Sequence, residues 1–294
     1  MSDFSPEVRN SAIWATDAAR IVRGHGLSVV LEKQGKKEPD DLSGIEAVQM
    51  GHVMQPILIS LASKRLGEEV EPFDLPATHP TEPWVRSHTD GKTGSALVEC
   101  KNVGLSQRKY FDEDSRIVPP YYRAQCVHEA LVFNTDLVWM SVLIGGQEHL
   151  MIPLEIGEQE KQEHLERIAT FWGHIQTDTT PDPVTLEECK LAYAVSAPAL
   201  ITATAEVERA AASLKQIKQD IKKLEEAEEG LQAQICAWMR DNDTLSTYAG
   251  EILATWKSAK ASKRFDSKLF QTAMPDIYNR FVVEQPGSRR FLLK

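Results

Sequence analysis

The chain has 294 residues, with 33 Lys and Arg against 43 Asp and Glu, a formal net charge of -10 and 42% apolar residues. That apolar content supports a packed core and excludes an intrinsically disordered chain. No apolar run reaches the roughly 18 residues of a membrane helix, so no membrane association is expected.

The opening MSDFSPEVRNS has no basic stretch followed by an apolar one, so no secretory leader is expected. Ser5-Pro6-Glu7 reads as a helix start, with Ser5 as N-cap and Pro6 at the first helical position. A second helical stretch surrounds Asp17-Ile21. Gly24, Gly26 and Gly35 break it, and the charged stretch Glu32-Asp41 reads as a loop. A longer helix is predicted from Ser43 to Arg65, with Pro56 as a kink or break and Gly67 as its stop.

Val70-Phe73, Trp84-Ser87 and Ala96-Cys100 are short extended runs. Asp90-Gly91, with Gly94 nearby, predicts a hairpin between the last two, with Asp90 in its turn. A helix is predicted from Tyr121 to Phe133, then strands at Leu137-Ile144 and His149-Pro153, then a charged amphipathic helix at Glu158-Ile175. Residues 178–183 read as a linker.

Thr204-Trp238 carries heptad-like seams, one of Val207, Leu214 and Ile221, the other running from Ala210 through Ile217, Leu224 and Leu231 to Trp238. Glu228 interrupts the first seam. Such a helix suits packing on the body of the protein, on a partner helix, or in an oligomer. A strand at Glu251-Lys257, helices at Ser267-Met274 and Pro275-Phe281, and a terminal strand from Arg290 complete the pattern. The expected organisation is a core over 1–200, a helical arm over 201–242 and a basic unit over 243–294 packing back on the core.

Charge is sorted along the chain. Segment 256–294 holds nine Lys and Arg against three acids, which is +6 and leaves -16 elsewhere. Local basic charge of this kind suits duplex phosphates whatever the net charge. Trp256, Lys257 and Lys260 lie there. Trp256 suits stacking on DNA or burial in the C-terminal unit. The four cysteines, Cys100, Cys126, Cys189 and Cys236, form no CxxC pair, so reduced thiols in a cytoplasmic protein are expected.

Asp90 and the triplet Glu99-Cys100-Lys101 carry the chemistry. Period-two geometry puts Glu99 and Lys101 on one strand face, and a hairpin brings Asp90 alongside. Two carboxylates plus the Cys100 carbonyl suit Mg²⁺ or Mn²⁺, with waters and a substrate phosphate completing the shell. Lys101 would activate the attacking water or stabilise the charged phosphorane. Alone, D-x8-E-x-K is more often a solvated hairpin. Gln125, early in the following helix, would aim its amide at this site. Arg9 and Thr16, near a helix start, make a phosphate pocket. His88, two residues before Asp90, would reach a phosphate or simply pack, and His128 reads as a surface or packing residue.

The order of motifs resembles the YqaJ-type viral recombinase family, relatives of lambda exonuclease in the PD-(D/E)xK nuclease superfamily. The matching pieces are Arg9…Thr16-Asp17, Met50-Gly51…Gln55-Pro56, Asp90-Gly91…Glu99-Cys100-Lys101 and Pro120…Tyr122…Gln125. The tail with Thr255-Trp256-Lys257 also looks like that of longer members. The resemblance implies an α/β fold with a mixed central sheet flanked by helices. It implies Mg²⁺-dependent digestion of linear double-stranded DNA from the 5′ end, leaving 3′ single strands, with one or two ions per site. It implies a phage single-strand annealing protein as partner and a trimeric ring. By position, Asp90 and Glu99 look like metal ligands, Lys101 like the catalytic lysine, Gln125 like the amide beside the metal, Arg9 and Thr16 like 5′-phosphate contacts, and Tyr122 like a DNA contact. Gln55 stands where the family usually offers Glu, so a second ion would bind more weakly. A nicking endonuclease with the same metal core and a non-catalytic DNA-binding assembly protein are the alternatives.

Overall fold

A computed structural model describes residues 5–73, 75–284 and 287–294. The chain divides into two compact units, Met1–Ala194 and Val195–Lys294.

The first unit opens with α1 (Pro6–Asn10), where the Ser5 hydroxyl accepts a hydrogen bond from the Val8 amide. Strand β1 (Ile13–Trp14), helix α2 (Ala15–Val22) and helix α3 (Gly26–Lys33) follow. Helix α3 corrects the expected loop from Glu32 onward. Glu32 and Lys33 are buried in its last turn because α1 and α2 supply their partners. Arg20 donates to both Glu32 oxygens at 2.6 and 2.7 Å, and Lys33 pairs with Asp17 at 2.7 Å. Charge in sequence normally means solvent, and here it means an interior ion pair. Gly26 is required where α3 begins, since a Cβ there would lie 2.3 Å from the Phe171 ring.

Helix α4 (Glu46–Leu66) runs through Pro56 and ends on Gly67 at φ +72°, the left-handed stop that glycine takes without strain. Short strands β2 (Glu71–Pro72), β3 (Ala77–Thr78), β4 (Val85–Ser87) and β5 (Gly91–Lys92) precede β6 (Leu97–Val103). A 3₁₀ turn at Leu105–Tyr110 leads to α5 (Pro120–Phe133), β7 (Leu137–Ile144), β8 (Glu148–Glu155), α6 (Glu158–Gln176) and α7 (Leu186–Ala192).

The main sheet has the order β2-β5-β6-β7-β8. Strands β6 and β7 are parallel, joined through α5, and the other pairs are antiparallel. Strand β7 reads Leu-Val-Trp-Met-Ser-Val-Leu-Ile with little polar alternation, as a central strand covered on both faces should. On one face Cys126, Val127 and Ala130 of α5 pack on Leu97, Val138, Met140 and Ile152. On the other, Ile59 and Ala62 of α4 pack on Val70, Val98 and Met151. A side sheet, β1-β4-β3, packs with α2, α3 and α6 in a further core.

The expected hairpin is corrected in its partners and its turn. Strand β4 joins the side sheet rather than pairing with β6. The turn into β6 closes at Thr93, whose amide donates to the Ala96 carbonyl at 2.8 Å. Asp90 therefore lies before β5, at the far end of a two-residue ladder, instead of at the tip.

The second unit holds α8 (Ala205–Met239), capped by the Thr204 hydroxyl, then the antiparallel pair β9 (Thr244–Ser246) and β10 (Ile252–Thr255), then α9 (Ser267–Ala273) and α10 (Pro275–Arg280). The expected terminal strand from Arg290 does not form. Phe291-Leu292-Leu293 is a short apolar run, and a strand needs a paired edge to hold it. Among the described residues no helix is long and apolar enough to cross a membrane.

Candidate active site

Asp90, Glu99 and Lys101 meet between α4 and α5. Because Gly91 pairs with Val98, the residue before Gly91 lies across from the residue after Val98. Asp90 is thus set opposite Glu99. Asp90 Oδ2 accepts from the Cys100 amide at 2.8 Å, and Oδ1 accepts from Gln55 Nε2 at 2.7 Å. Lys101 Nζ donates to Glu99 Oε1 at 2.5 Å and to Gln125 Oε1 at 2.9 Å. Gln125 Nε2 donates to Glu99 and, at 3.1 Å, to Glu129 Oε1. The ammonium fixes the Gln125 amide, because only its oxygen can face a cation.

The site is rich in carboxyl groups. Burial, and then Glu99 beside it, push the Asp90 carboxyl well above its ordinary range. Burial, and then Glu99, do the same to Glu129. Burial alone would lower the Lys101 ammonium, but Glu99, Asp90 and Glu129 outweigh it and hold the lysine above its usual value. One cation faces three carboxyl groups, and Glu129 Oε2 has no hydrogen-bond partner among the described residues. Additional positive charge would favour the ionised forms of Asp90 and Glu129.

A cavity of about 510 Å³ opens over this cluster. Arg9 and Thr16 line it, as do Gln55, His88 and Tyr122. Arg9 donates to the Thr16 hydroxyl at 2.9 Å and to Asp17 at 3.0 Å. Asp17 is only 1% exposed and also accepts from the Trp14 amide at 3.0 Å. The motif Arg9…Thr16-Asp17 is therefore one unit: a buried aspartate orients a guanidinium beside a hydroxyl. Trp14 stacks on His88 with ring centroids 5.2 Å apart, so His88 is held by an aromatic wall. Lys101 Nζ lies 5.1 Å from the Tyr122 ring centroid.

The structure thus brings Arg9, Thr16, Gln55, His88, Asp90, Glu99, Cys100, Lys101, Tyr122 and Gln125 to one cavity. The Cys100 thiol packs with the α4-side core, and its backbone amide serves Asp90. Trp256, Lys257 and Lys260 belong to the second unit and are exposed there. Trp256 is 54% exposed, which corrects its reading as a core residue. His128 is wholly buried and packs on His164, with 3.2 Å between ring nitrogens.

Sequence reasoning missed Glu129, Lys33 and Trp14. Glu129 falls one helical turn after Gln125 on the same face, a spacing that could have flagged it. Lys33 and Trp14 left no signal, because their contacts join α1, α2 and α3 through the fold.

The donor set fits a hard divalent cation. Among the described residues no group of three or more His, Cys, Asp or Glu side chains is arranged as a metal cage. The Asp90-Glu99 pair supplies two carboxylates, the number with which Mg²⁺ commonly binds, leaving water and substrate oxygens to complete its shell.

A sheet with β6 and β7 parallel across α5, with α4 on its other face and an Asp…Glu-x-Lys cluster at β5 and β6, defines the class: a mixed α/β core, as the sequence implied. Residues 6–136 match the family described as the YqaJ-like viral recombinase domain. The matched stretch holds every cavity residue named above. Among solved structures, the chain is similar to an alkaline exonuclease from Laribacter hongkongensis at 13% identity and a TM-score of 0.47, covering 58% of this chain and 90% of that one. It is also similar to a phage related exonuclease from Haemophilus somnus at 10% identity and a TM-score of 0.41, covering 55% of this chain and 83% of that one. No curated protein matches it.

Proposed function

We propose that this protein is a metal-dependent exonuclease. It degrades linear double-stranded DNA from the 5′ end and leaves 3′ single strands for an annealing protein to use in phage-type recombination. The observation that carries the reading is the cavity itself, in which the Asp90-Glu99-Lys101 cluster shares one space with the Arg9-Thr16 pair. A hydrolytic cluster sharing its cavity with a guanidinium and a hydroxyl suits a chain terminus carrying a phosphate.

Asp90 and Glu99 would hold Mg²⁺ or Mn²⁺. When bound, such an ion supplies an activated water and offsets charge on the phosphodiester. Lys101, kept cationic by the acids around it, places an ammonium where charge grows on the phosphate oxygens. Gln125 fixes Lys101 and Glu99 relative to each other through its two-ended amide. Arg9 and Thr16 bind the terminal 5′-phosphate, and the buried Asp17 keeps Arg9 aimed. Tyr122 and His88 offer flat faces to the strand. Trp256, Lys257 and Lys260 supply exposed aromatic and basic groups for duplex phosphates beyond the site. The cytoplasm of a bacterial host is the compartment that such a substrate implies.

The test offers equal amounts of linear and covalently closed circular duplex with Mg²⁺. The linear form should be consumed while the circle persists. Cutting of the circle would point to an endonuclease with the same cluster.

A further inference from the structure

Helix α8 is 35 residues long, roughly 52 Å at 1.5 Å per residue. Within its own unit the apolar seam is uncovered: Val207 is 56% exposed, Ile217 54%, Leu224 70%, Leu231 61% and Trp238 79%. With Val207 as heptad position a and Ala210 as d, ten a and d positions follow in unbroken register to Trp238, and only Glu228 among them is charged. An isolated helix with such a seam has little stability of its own. The same seam supplies the knobs of a coiled coil.

We propose that α8 is a dimerisation arm that pairs antiparallel with α8 of a second copy of this chain. Two features of the seam choose the partner and its direction. The first is Glu228 at an a position. Parallel in-register pairing would stack Glu228 on the partner's Glu228 in one core layer, two like charges in a desolvated place. Antiparallel pairing with Ile221 facing the partner's Leu224 sets Glu228 against the partner's Ile217. There its methylenes cover the isoleucine and its carboxylate stays at the edge, where Gln232 already donates to it at 3.0 Å. The same register sets Val207 against the partner's Trp238 and Ala210 against the partner's Ile235. Small residues meet large ones at both ends of the seam.

The second feature is flanking charge. In the antiparallel register Lys218 and Glu225, both at e, meet across the interface, and symmetry makes that ion pair twice. In the parallel register Asp220, at g, would meet the partner's Glu225, which is repulsive. Among the described residues neither Lys218 nor Glu225 has an ion pair within its own chain. They are available to a partner.

The test uses the full-length chain with Cys236→Ser and two cysteine pairs, each treated with a short bis-maleimide. Lys218→Cys with Glu225→Cys should yield covalent dimers, and Asp220→Cys with Glu225→Cys should not. Linkage by the second pair would establish parallel pairing and overturn the proposal. Linkage by neither, in protein whose circular dichroism retains the helix, would mean that α8 serves another partner and would also overturn it. A charge swap guards against local distortion. Lys218→Glu alone should weaken dimerisation by roughly tenfold in dissociation constant, and adding Glu225→Lys should restore it. Failure of the swap to restore would contradict the antiparallel pairing.

Discussion

Gln55 donates its amide to Asp90 across 2.7 Å, so the helix α4 residue that departs from the family pattern is wired directly to the aspartate of the cluster. Burial, and then Glu99, already raise the Asp90 carboxyl, and Gln55 adds a neutral donor to it where a glutamate would add a fourth carboxyl group.

Gln55→Glu should therefore act in opposite directions with and without metal. In metal-free protein the variant loses a hydrogen bond and gains a like-charge neighbour, and stability should fall by about 1 kcal/mol. In millimolar Mg²⁺ the extra carboxylate strengthens ion binding, so the rise in melting temperature on adding Mg²⁺ should be larger than in wild type. Thermal melts with and without Mg²⁺ check both halves. An unchanged Mg²⁺ increment would mean that Gln55 does not face the ion.

Arg9 and Asp17 separate binding from folding. The Arg9 side chain is 38% exposed, so its ion pair with Asp17 adds little stability. Arg9→Ala should leave the melting temperature nearly unchanged and reduce the preference for 5′-phosphate over 5′-hydroxyl ends by roughly tenfold or more. Asp17→Ala should instead destabilise by about 3–5 kcal/mol, because Lys33, whose side chain is 3% exposed, loses its counter-charge. Denaturant unfolding and end-labelled substrates distinguish the two.

Much of this was legible in the sequence for a physical reason. Helices α4, α6 and α8 carry apolar residues at helical spacing, Pro119-Pro120 announces α5, and β7 is a near-continuous apolar run, so sequence alone located them. The motif residues could be collected because each carries a polar group at a spacing a strand or helix turn explains. Pattern failed where tertiary pairing overrode it. Glu32 and Lys33 look solvated until Arg20 and Asp17 are seen beside them. Asp-Gly looks like a hairpin tip until β4 is seen in another sheet. Glu129 sits at a spacing that puts it one turn behind Gln125, but only the fold shows the two in contact at the cluster.

The buried His128-His164 pair gives the core a pH limit. Burial lowers His128 from the ordinary 6.5 to about 4, and lowers His164 as well. In the unfolded chain both protonate near 6.5 while the folded pair stays neutral, so stability holds above that pH and declines as pH falls toward 4. The His128 share of the loss is about 3 kcal/mol over the window. Denaturant unfolding between pH 7.5 and 5 should show this slope, and His164→Leu should flatten it. An unchanged slope in the variant would assign the acid sensitivity elsewhere.

The most direct test of the Asp90-Glu99-Lys101 centre is digestion of linear duplex labelled separately at each 5′ and 3′ end, in Mg²⁺, by wild type and Lys101→Ala. Wild type should release the 5′ label first, and Lys101→Ala should be slower by roughly 10²–10³-fold while binding the same duplex. Release of the 3′ label first would reverse the proposed polarity. Equal rates for wild type and Lys101→Ala would contradict the assignment of the catalytic centre.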